Sequence, residues 1–126
     1  MRIELVKDYR FEAAHQLPRV PDGHKCKRLH GHSFQFEVRL AGEVDPSTGF
    51  LIDFWELDRV VAPLLERIDH RYLNEVEGLE NPTSEVLAAW IYRCLEGQLP
   101  TLESVTVSET CDARVVFRGG RGAAGR

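Results

Sequence analysis

The stretch His30-Gly31-His32-Ser33-Phe34-Gln35-Phe36-Glu37-Val38-Arg39-Leu40 decides the fold that we predict for this chain. Its apolar side chains occupy every second position, at Phe34, Phe36, Val38 and Leu40. This alternation predicts an antiparallel strand over 30–42 with one face in the core. His30 and His32 share the parity of the apolar side chains, so we expect both imidazoles on the buried face, where Gly31 adds no side chain between them.

A second alternating segment, residues 2–15, also ends in a histidine. Its apolar parity, broken at Lys7, consists of Ile3, Leu5, Tyr9, Phe11 and Ala13. His15 continues that parity and is expected at the end of the apolar face, provided that no bulge intervenes. Three neutral imidazoles suit zinc, and without a fourth protein ligand they would leave one coordination position open, which is typical of a catalytic zinc. The alternative is that these histidines face solvent or are hydrogen-bonded in the core.

The rest of the chain predicts two helices followed by two strands. These elements are helices over 53–67 and 83–96 and strands over 102–111 and 113–118. Asp53 is a capping residue for the first helix, Pro63 predicts a kink or a second start within it, and its end is expected to fray into a loop over 69–74. We therefore predict an α+β domain over 1–118, with an antiparallel sheet and both helices on one face, and a flexible Gly/Arg tail over 119–126. The exposed edges of such a sheet suggest that subunits join their sheets.

The bulk composition limits the classes of function. The chain has 126 residues, of which 43% are hydrophobic and 29% charged, as is usual for one soluble domain. A net charge of −4 argues against nucleic acid as the main partner. We find no apolar run of membrane-spanning length and no secretory signal, so we expect a cytoplasmic protein without a membrane partner. Cys26, Cys94 and Cys111 form no disulfide-framework spacing and are expected as reduced thiols.

Four further patterns are ambiguous from the sequence alone, and two interpretations of each stay open. Cys26 lies in a basic loop over 17–28, just before the histidine pair, and is either a base near the metal or a spare exposed thiol. The basic residues of that loop are either phosphate contacts or solvated surface. Asp69-His70 is either an orienting carboxylate with a proton shuttle or a pair that interacts favourably with a helix end. Glu109, in the apolar register of its strand, is either a paired buried charge or a strand end in water.

Five motifs together carry a family resemblance. They are Phe11-Glu12-Ala13-Ala14-His15, Cys26-x-x-x-His30-Gly31-His32, Asp69-His70, Asn81-Pro82-Thr83-Ser84-Glu85 and Glu109-Thr110-Cys111. From Phe11 to about Arg118 the chain resembles the 6-pyruvoyl-tetrahydropterin synthase superfamily. The closer match is its bacterial branch, which forms a 6-carboxylated pterin for queuosine (7-deazaguanine) biosynthesis. The three-residue gap between Cys26 and His30 favours that branch.

The resemblance implies both an architecture and a reaction. The implied architecture is the tunnelling fold, with two-layer ββααββ subunits whose sheets join into an oligomeric barrel. Such barrels are often homo-hexamers built from two trimers, with active sites between subunits. The implied reaction is that of a zinc-dependent lyase that converts 7,8-dihydroneopterin triphosphate to 6-carboxytetrahydropterin, acetaldehyde and triphosphate. The alternatives are pyruvoyl-forming activity on the same substrate and a non-catalytic, metal-stabilised pterin-binding module.

The resemblance also implies roles for individual residues. By position, one zinc ion per subunit is bound by His15, His30 and His32. Cys26 is the implied general base, with Asp69 and His70 assisting proton transfer. The implied anchors of the pterin ring are Glu109, Thr83 and Ser84. A carboxylate suits this role because it can accept two neighbouring N–H groups of the ring at once, whereas Thr83 and Ser84 are first of all candidates for capping the second helix.

Overall fold

The computed structural model describes residues 1–119, and its sheet is built around two long strands. Strand β1 spans Arg2–His15 and strand β2 spans His30–Glu43. They pair antiparallel in one continuous register, which ends with His15 opposite His30. The two strands predicted from alternation are therefore confirmed, and no bulge displaces His15 from the apolar face.

Three shorter strands complete the sheet. They are β3 (Arg71–Tyr72), β4 (Leu102–Ser108) and β5 (Val115–Phe117). The order across the sheet is β3-β1-β2-β4-β5, and the neighbouring strands are antiparallel except for β3 and β1. Strand β3 pairs in parallel with Ala13 and Ala14 of β1, within the segment 69–74 where we expected a loop. The sheet is therefore mixed, and the prediction missed β3 because two residues are too few to give an alternation pattern.

Two helices pack on the sheet, α1 over Phe54–Ile68 and α2 over Ser84–Leu95. Their bounds differ from the predicted ones only at the terminal residues. Helix α1 continues through Pro63, so the expected second start is wrong. Because proline has no N–H, the carbonyl of Arg59 loses its helical partner. Arg59 and Pro63 are both exposed, so water can bond to that carbonyl instead.

A single apolar core lies between the helices and the sheet. Phe11 of β1 and Phe34 of β2 stack with their ring centroids 5.0 Å apart. Leu57 of α1 and Leu87 of α2 are fully buried against this layer. Burial of each such side chain stabilises the fold by about 1.5–3 kcal/mol, so the core fixes the strand ends that carry the histidines.

The last two strands are shorter than predicted. Strand β4 ends at Ser108 instead of 111, and β5 begins at Val115 instead of 113, so Glu109 is the first residue of the connecting loop. Of the predicted tail over 119–126, residues 120–126 lie outside the described part of the chain. Among residues 1–119, no helix is long and apolar enough to cross a membrane.

Candidate active site

The three histidines predicted as ligands lie together at one end of the sheet. The ring centroids are 4.6 Å apart for His15 and His30, 4.8 Å for His30 and His32, and 5.1 Å for His15 and His32. One potential ligand atom from each residue lies within 4.8 Å of the others. The strand register produces this arrangement, because His15 faces His30 directly and His32 faces Ala13 on the same side of the sheet.

Main-chain carbonyls orient two of the three imidazoles. Nδ1 of His15 donates to the carbonyl of Pro82 at 2.9 Å, and Nδ1 of His30 donates to the carbonyl of Arg28 at 2.7 Å. A carbonyl can only accept, so Nδ1 of each ring carries a proton, and Nε2 is the nitrogen left to bind a metal ion. Histidines that bind metal ions are typically held by this kind of second hydrogen bond.

The buried Nε2 of His15 indicates that the cluster fits a metal ion. His15 is fully buried, and its Nε2 has no hydrogen-bond partner among residues 1–119. A buried polar atom without a partner is costly, whereas a metal ion would use its lone pair. Burial lowers the pKa of His15 below its ordinary value, against the opposing effect of the Pro82 carbonyl, and therefore favours the neutral ring that a metal ion requires.

Glu109 and Ser84 lie beside the histidine cluster. The Ser84 hydroxyl donates to Oε1 of Glu109 at 2.7 Å, and Oε2 of Glu109 is 3.5 Å from Nε2 of His32. Glu109 is half-buried and has these two polar neighbours, so its charge is paired and it is not a strand end in water. Thr83 caps α2 by accepting the N–H of Val86 at 3.1 Å, which fixes the helix turn on which Ser84 is carried.

Asp69 and His70 are in contact at the end of α1. Oδ1 of Asp69 lies 3.0 Å from Nδ1 of His70 and also accepts the main-chain N–H of Glu12 at 3.0 Å. The Glu12 N–H, followed by His70, lowers the pKa of the Asp69 carboxyl, so this group is a carboxylate near neutral pH. His70 has a φ of 57° and is the one non-glycine residue with positive φ in the described chain. Such backbone strain often accompanies a functional site.

His70 and His32 line the same open cavity above the β1–β3 edge of the sheet. The cavity floor includes Ala14 and Gly31, which have little or no side chain. The cavity therefore brings one residue of the Asp69-His70 pair and one residue of the histidine cluster to the same open space.

Cys26, the predicted base, does not belong to the histidine cluster. It lies half-buried in a short 3-10 turn, Lys25–Lys27, and its N–H donates to Nδ1 of His24 at 3.0 Å. Its carbonyl accepts the N–H of Leu17 at 2.8 Å, which joins the turn to the chain that leaves β1. Among the described residues, the group that could hold a metal ion consists of the three histidines without this thiol.

The other two cysteines lie apart from the site, and all three are free thiols. Cys111 is exposed and Cys94 is half-buried beside Arg67. Burial raises the pKa of the Cys94 thiol, although Arg67 opposes the shift, which makes the reactive thiolate less favourable there.

Sequence reasoning missed the contributions of Pro82 and Arg28. Both act through main-chain carbonyls, which carry no side-chain pattern. The signal that could have indicated Pro82 is its position inside the Asn81-Pro82-Thr83-Ser84-Glu85 motif.

Comparisons with known proteins agree with this geometry. A family model described as 6-pyruvoyl tetrahydropterin synthase matches residues 4–120. A 6-carboxy-5,6,7,8-tetrahydropterin synthase from Synechocystis is 48% identical over 113 residues, covering 85% of this chain and 86% of the relative. The Bacillus subtilis protein of the same name is 35% identical over 131 residues, covering 94% and 87%. Among solved structures, the 6-pyruvoyl tetrahydropterin synthase of Caenorhabditis elegans aligns with a TM-score of 0.87 at 29% identity, covering 94% of this chain and 96% of that one.

Proposed function

Because this chain belongs to the 6-pyruvoyl tetrahydropterin synthase family, we propose that it is a zinc-dependent lyase acting on 7,8-dihydroneopterin triphosphate. The proposed products are 6-carboxytetrahydropterin, acetaldehyde and triphosphate, which would place the enzyme in queuosine (7-deazaguanine) biosynthesis. The carboxy product is supported by the names of relatives at 48% and 35% identity. It is also supported by the three-residue gap between Cys26 and His30.

The observation that carries the proposal is the cluster of His15, His30 and His32. Three imidazoles, two of them with a proton fixed on Nδ1, form a donor set suited to one zinc ion per subunit. Bound there, zinc supplies Lewis-acid polarisation of substrate oxygen atoms. The histidines contribute by holding the ion at the edge of the cavity that His32 lines.

Glu109 is the proposed anchor of the pterin ring. Its two oxygens can accept the ring N–H and the adjacent amino N–H in a two-point, charge-assisted contact. The Ser84 hydroxyl bonds to one lone pair of Oε1 and orients the carboxylate without using up its capacity as an acceptor. Thr83 contributes indirectly, because its cap holds the first turn of α2 in place. In a pocket that excludes water, a ligand without this N–H edge would leave the carboxylate unpaired.

The proposed proton transfers use Cys26 and the Asp69-His70 pair. Cys26 acts as the base that removes a proton from the substrate side chain near the ring. Asp69 holds Nδ1 of His70, so Nε2 is the atom of His70 that exchanges protons with the substrate. Because His70 lines the cavity, its Nε2 is accessible to a bound molecule.

We also propose that the protein is a homo-oligomer whose sheets join, as a hexamer of two trimers with sites between subunits. The support is the outer edge of β1, which pairs with β3 only at Ala13 and Ala14 within residues 1–119. The N–H and C=O groups along the rest of that edge can pair with a strand of another subunit. A cytoplasmic location and a single domain over 1–118 remain proposals, the first supported by the three free thiols and the second by the single core.

Product identification by mass spectrometry tests the proposed reaction. Zinc-loaded protein incubated with 7,8-dihydroneopterin triphosphate should yield 6-carboxytetrahydropterin and acetaldehyde, and a chelator should abolish both. A 6-pyruvoyl product would instead identify the pyruvoyl-forming activity. Binding of the pterin without any turnover by the zinc-loaded protein would identify a non-catalytic module.

A further inference from the structure

We propose that Asn74 is a positioning residue that holds the end of β1, and with it His15, in the geometry that the metal site requires. The inference rests on the proposed metal site of three histidines. Asn74 lies in a short 3-10 turn, Leu73–Glu75, directly after β3. Its side chain bonds to main-chain groups of Gln16 and Glu80 and acts on His15 through them.

Asn74 makes a two-point contact with the residue that follows His15. The N–H of Gln16 donates to Oδ1 of Asn74 at 3.0 Å, and Nδ2 of Asn74 donates to the carbonyl of Gln16 at 2.8 Å. One planar carboxamide thus satisfies both main-chain groups of Gln16, as a neighbouring strand would. It continues the pairing of β1 with β3 beyond Tyr72, where the main chain turns away. The orientation of the chain leaving His15 is therefore fixed by a side chain.

The same carboxamide reaches the loop that orients the His15 ring. Nδ2 of Asn74 lies 3.5 Å from the carbonyl of Glu80, a long contact that supplements the two to Gln16. Glu80 is followed closely by Pro82, whose carbonyl accepts the Nδ1 proton of His15. Asn74 therefore joins the two segments on which the position of His15 depends, its own strand end and the loop that fixes its tautomer.

The two hydrogen bonds between Asn74 and Gln16 also align the turn that carries Cys26. The N–H of Leu17 donates to the carbonyl of Cys26, and Leu17 is the residue after Gln16. Because Gln16 is held at both of its main-chain groups, the register between the end of β1 and the Cys26 turn is held as well. Asn74 thereby aligns a proposed metal ligand and the proposed base without itself touching the substrate or the metal ion.

The test is a Co²⁺ titration of the metal-free protein, with Co²⁺ as the spectroscopic probe of the histidine site. The first variant, Asn74→Ala, removes both hydrogen bonds to Gln16. The second, Asn74→Asp, keeps the side-chain volume but places an oxygen where Nδ2 donates to the Gln16 carbonyl. Glu75→Ala is the matched control, since Glu75 shares the turn and is exposed. We expect both Asn74 variants to bind Co²⁺ at least about tenfold more weakly, as for other partners beyond the ligands, with an altered visible absorption band. The control should match the wild type.

Thermal unfolding of the metal-free variants separates positioning from stability. A folded Asn74→Asp protein with wild-type Co²⁺ affinity and spectrum would overturn the inference, even where Asn74→Ala fails to fold. Failure of both variants to fold would assign Asn74 a general role in stability instead. If the wild type bound no Co²⁺, the metal site itself would be refuted and the inference with it. If the wild type bound Co²⁺ and the variants bound it equally well, the inference on Asn74 alone would fall.

Discussion

Replacement of Glu109 by glutamine should weaken pterin binding while leaving the metal site intact. The Ser84 hydroxyl donates to Oε1, so in Glu109→Gln the carboxamide oxygen is expected to keep that position. The amide nitrogen then takes the place of Oε2 and presents donors where the ring N–H needs an acceptor. The variant loses one hydrogen bond to a charged group, worth about 1.5–3 kcal/mol. The dissociation constant should therefore rise about 10- to 150-fold.

The assay is a fluorescence titration with neopterin, which presents the N–H edge of the ring without the triphosphate. Metal analysis and thermal unfolding of the same samples check that zinc and fold are retained. Glu103→Gln is the matched control, because Glu103 lies at the start of β4, away from the histidine cluster, and undergoes the same chemical change. A folded Glu109→Gln protein whose dissociation constant stayed within twofold of the wild type would refute the anchoring role.

Three further predictions concern the base, the metal and a charge pair. Cys26→Ala should keep zinc and the fold while abolishing turnover, and unchanged turnover would remove Cys26 from its proposed role. His30→Ala should lose zinc on dialysis, as metal analysis will test, and full retention would contradict the proposed ligand set. Lys7 and Tyr9 both donate to Asp58 and lower the pKa of its carboxyl, so Asp58 stabilises the fold above the unfolded pKa of about 3.9 and this contribution is lost as pH falls through the lower folded value. In urea unfolding, Asp58→Asn should therefore be less stable than the wild type at pH 7 and approach it in acid; a difference that did not change with pH would disprove this assignment.

The strand pair and the clustering of the histidines could be predicted because both follow from local rules. Alternation with a period of two fixes the face of each side chain, and consecutive strands commonly pair. Together these rules bring His15 next to His30 without any knowledge of distant contacts. Alternation also shows that Lys7 interrupts the apolar parity of β1, but it cannot show why a lysine is tolerated there. Lys7 pairs with Asp58 on α1, a contact between distant parts of the chain.

The parts of the site that sequence reasoning could not supply depend on main-chain atoms and on short irregular segments. The Pro82 carbonyl has no side-chain pattern. The positive φ of His70 could not be expected either, because only a few per cent of non-glycine residues adopt it. The two-residue strand β3 is below the length at which periodicity can be recognised. The pairing of β3 with β1 nevertheless brings Asn74 to Gln16. The contact that we propose to position His15 therefore depends on a strand that the sequence could not predict.

The ladder between β1 and β2 closes with His15 opposite His30, so residues 16–29 form a loop whose two ends adjoin two of the proposed ligands. Insertions or deletions inside such a loop change its closure entropy little, by about 0.6 kcal/mol for each doubling of length. Changes before Arg28 would move Cys26 while the strand register that pairs the two histidines is kept. Changes in the loop could therefore alter the reaction while the proposed metal site is kept. The paired strands thus carry the histidines, whereas the loop that carries Cys26 can vary in length and sequence.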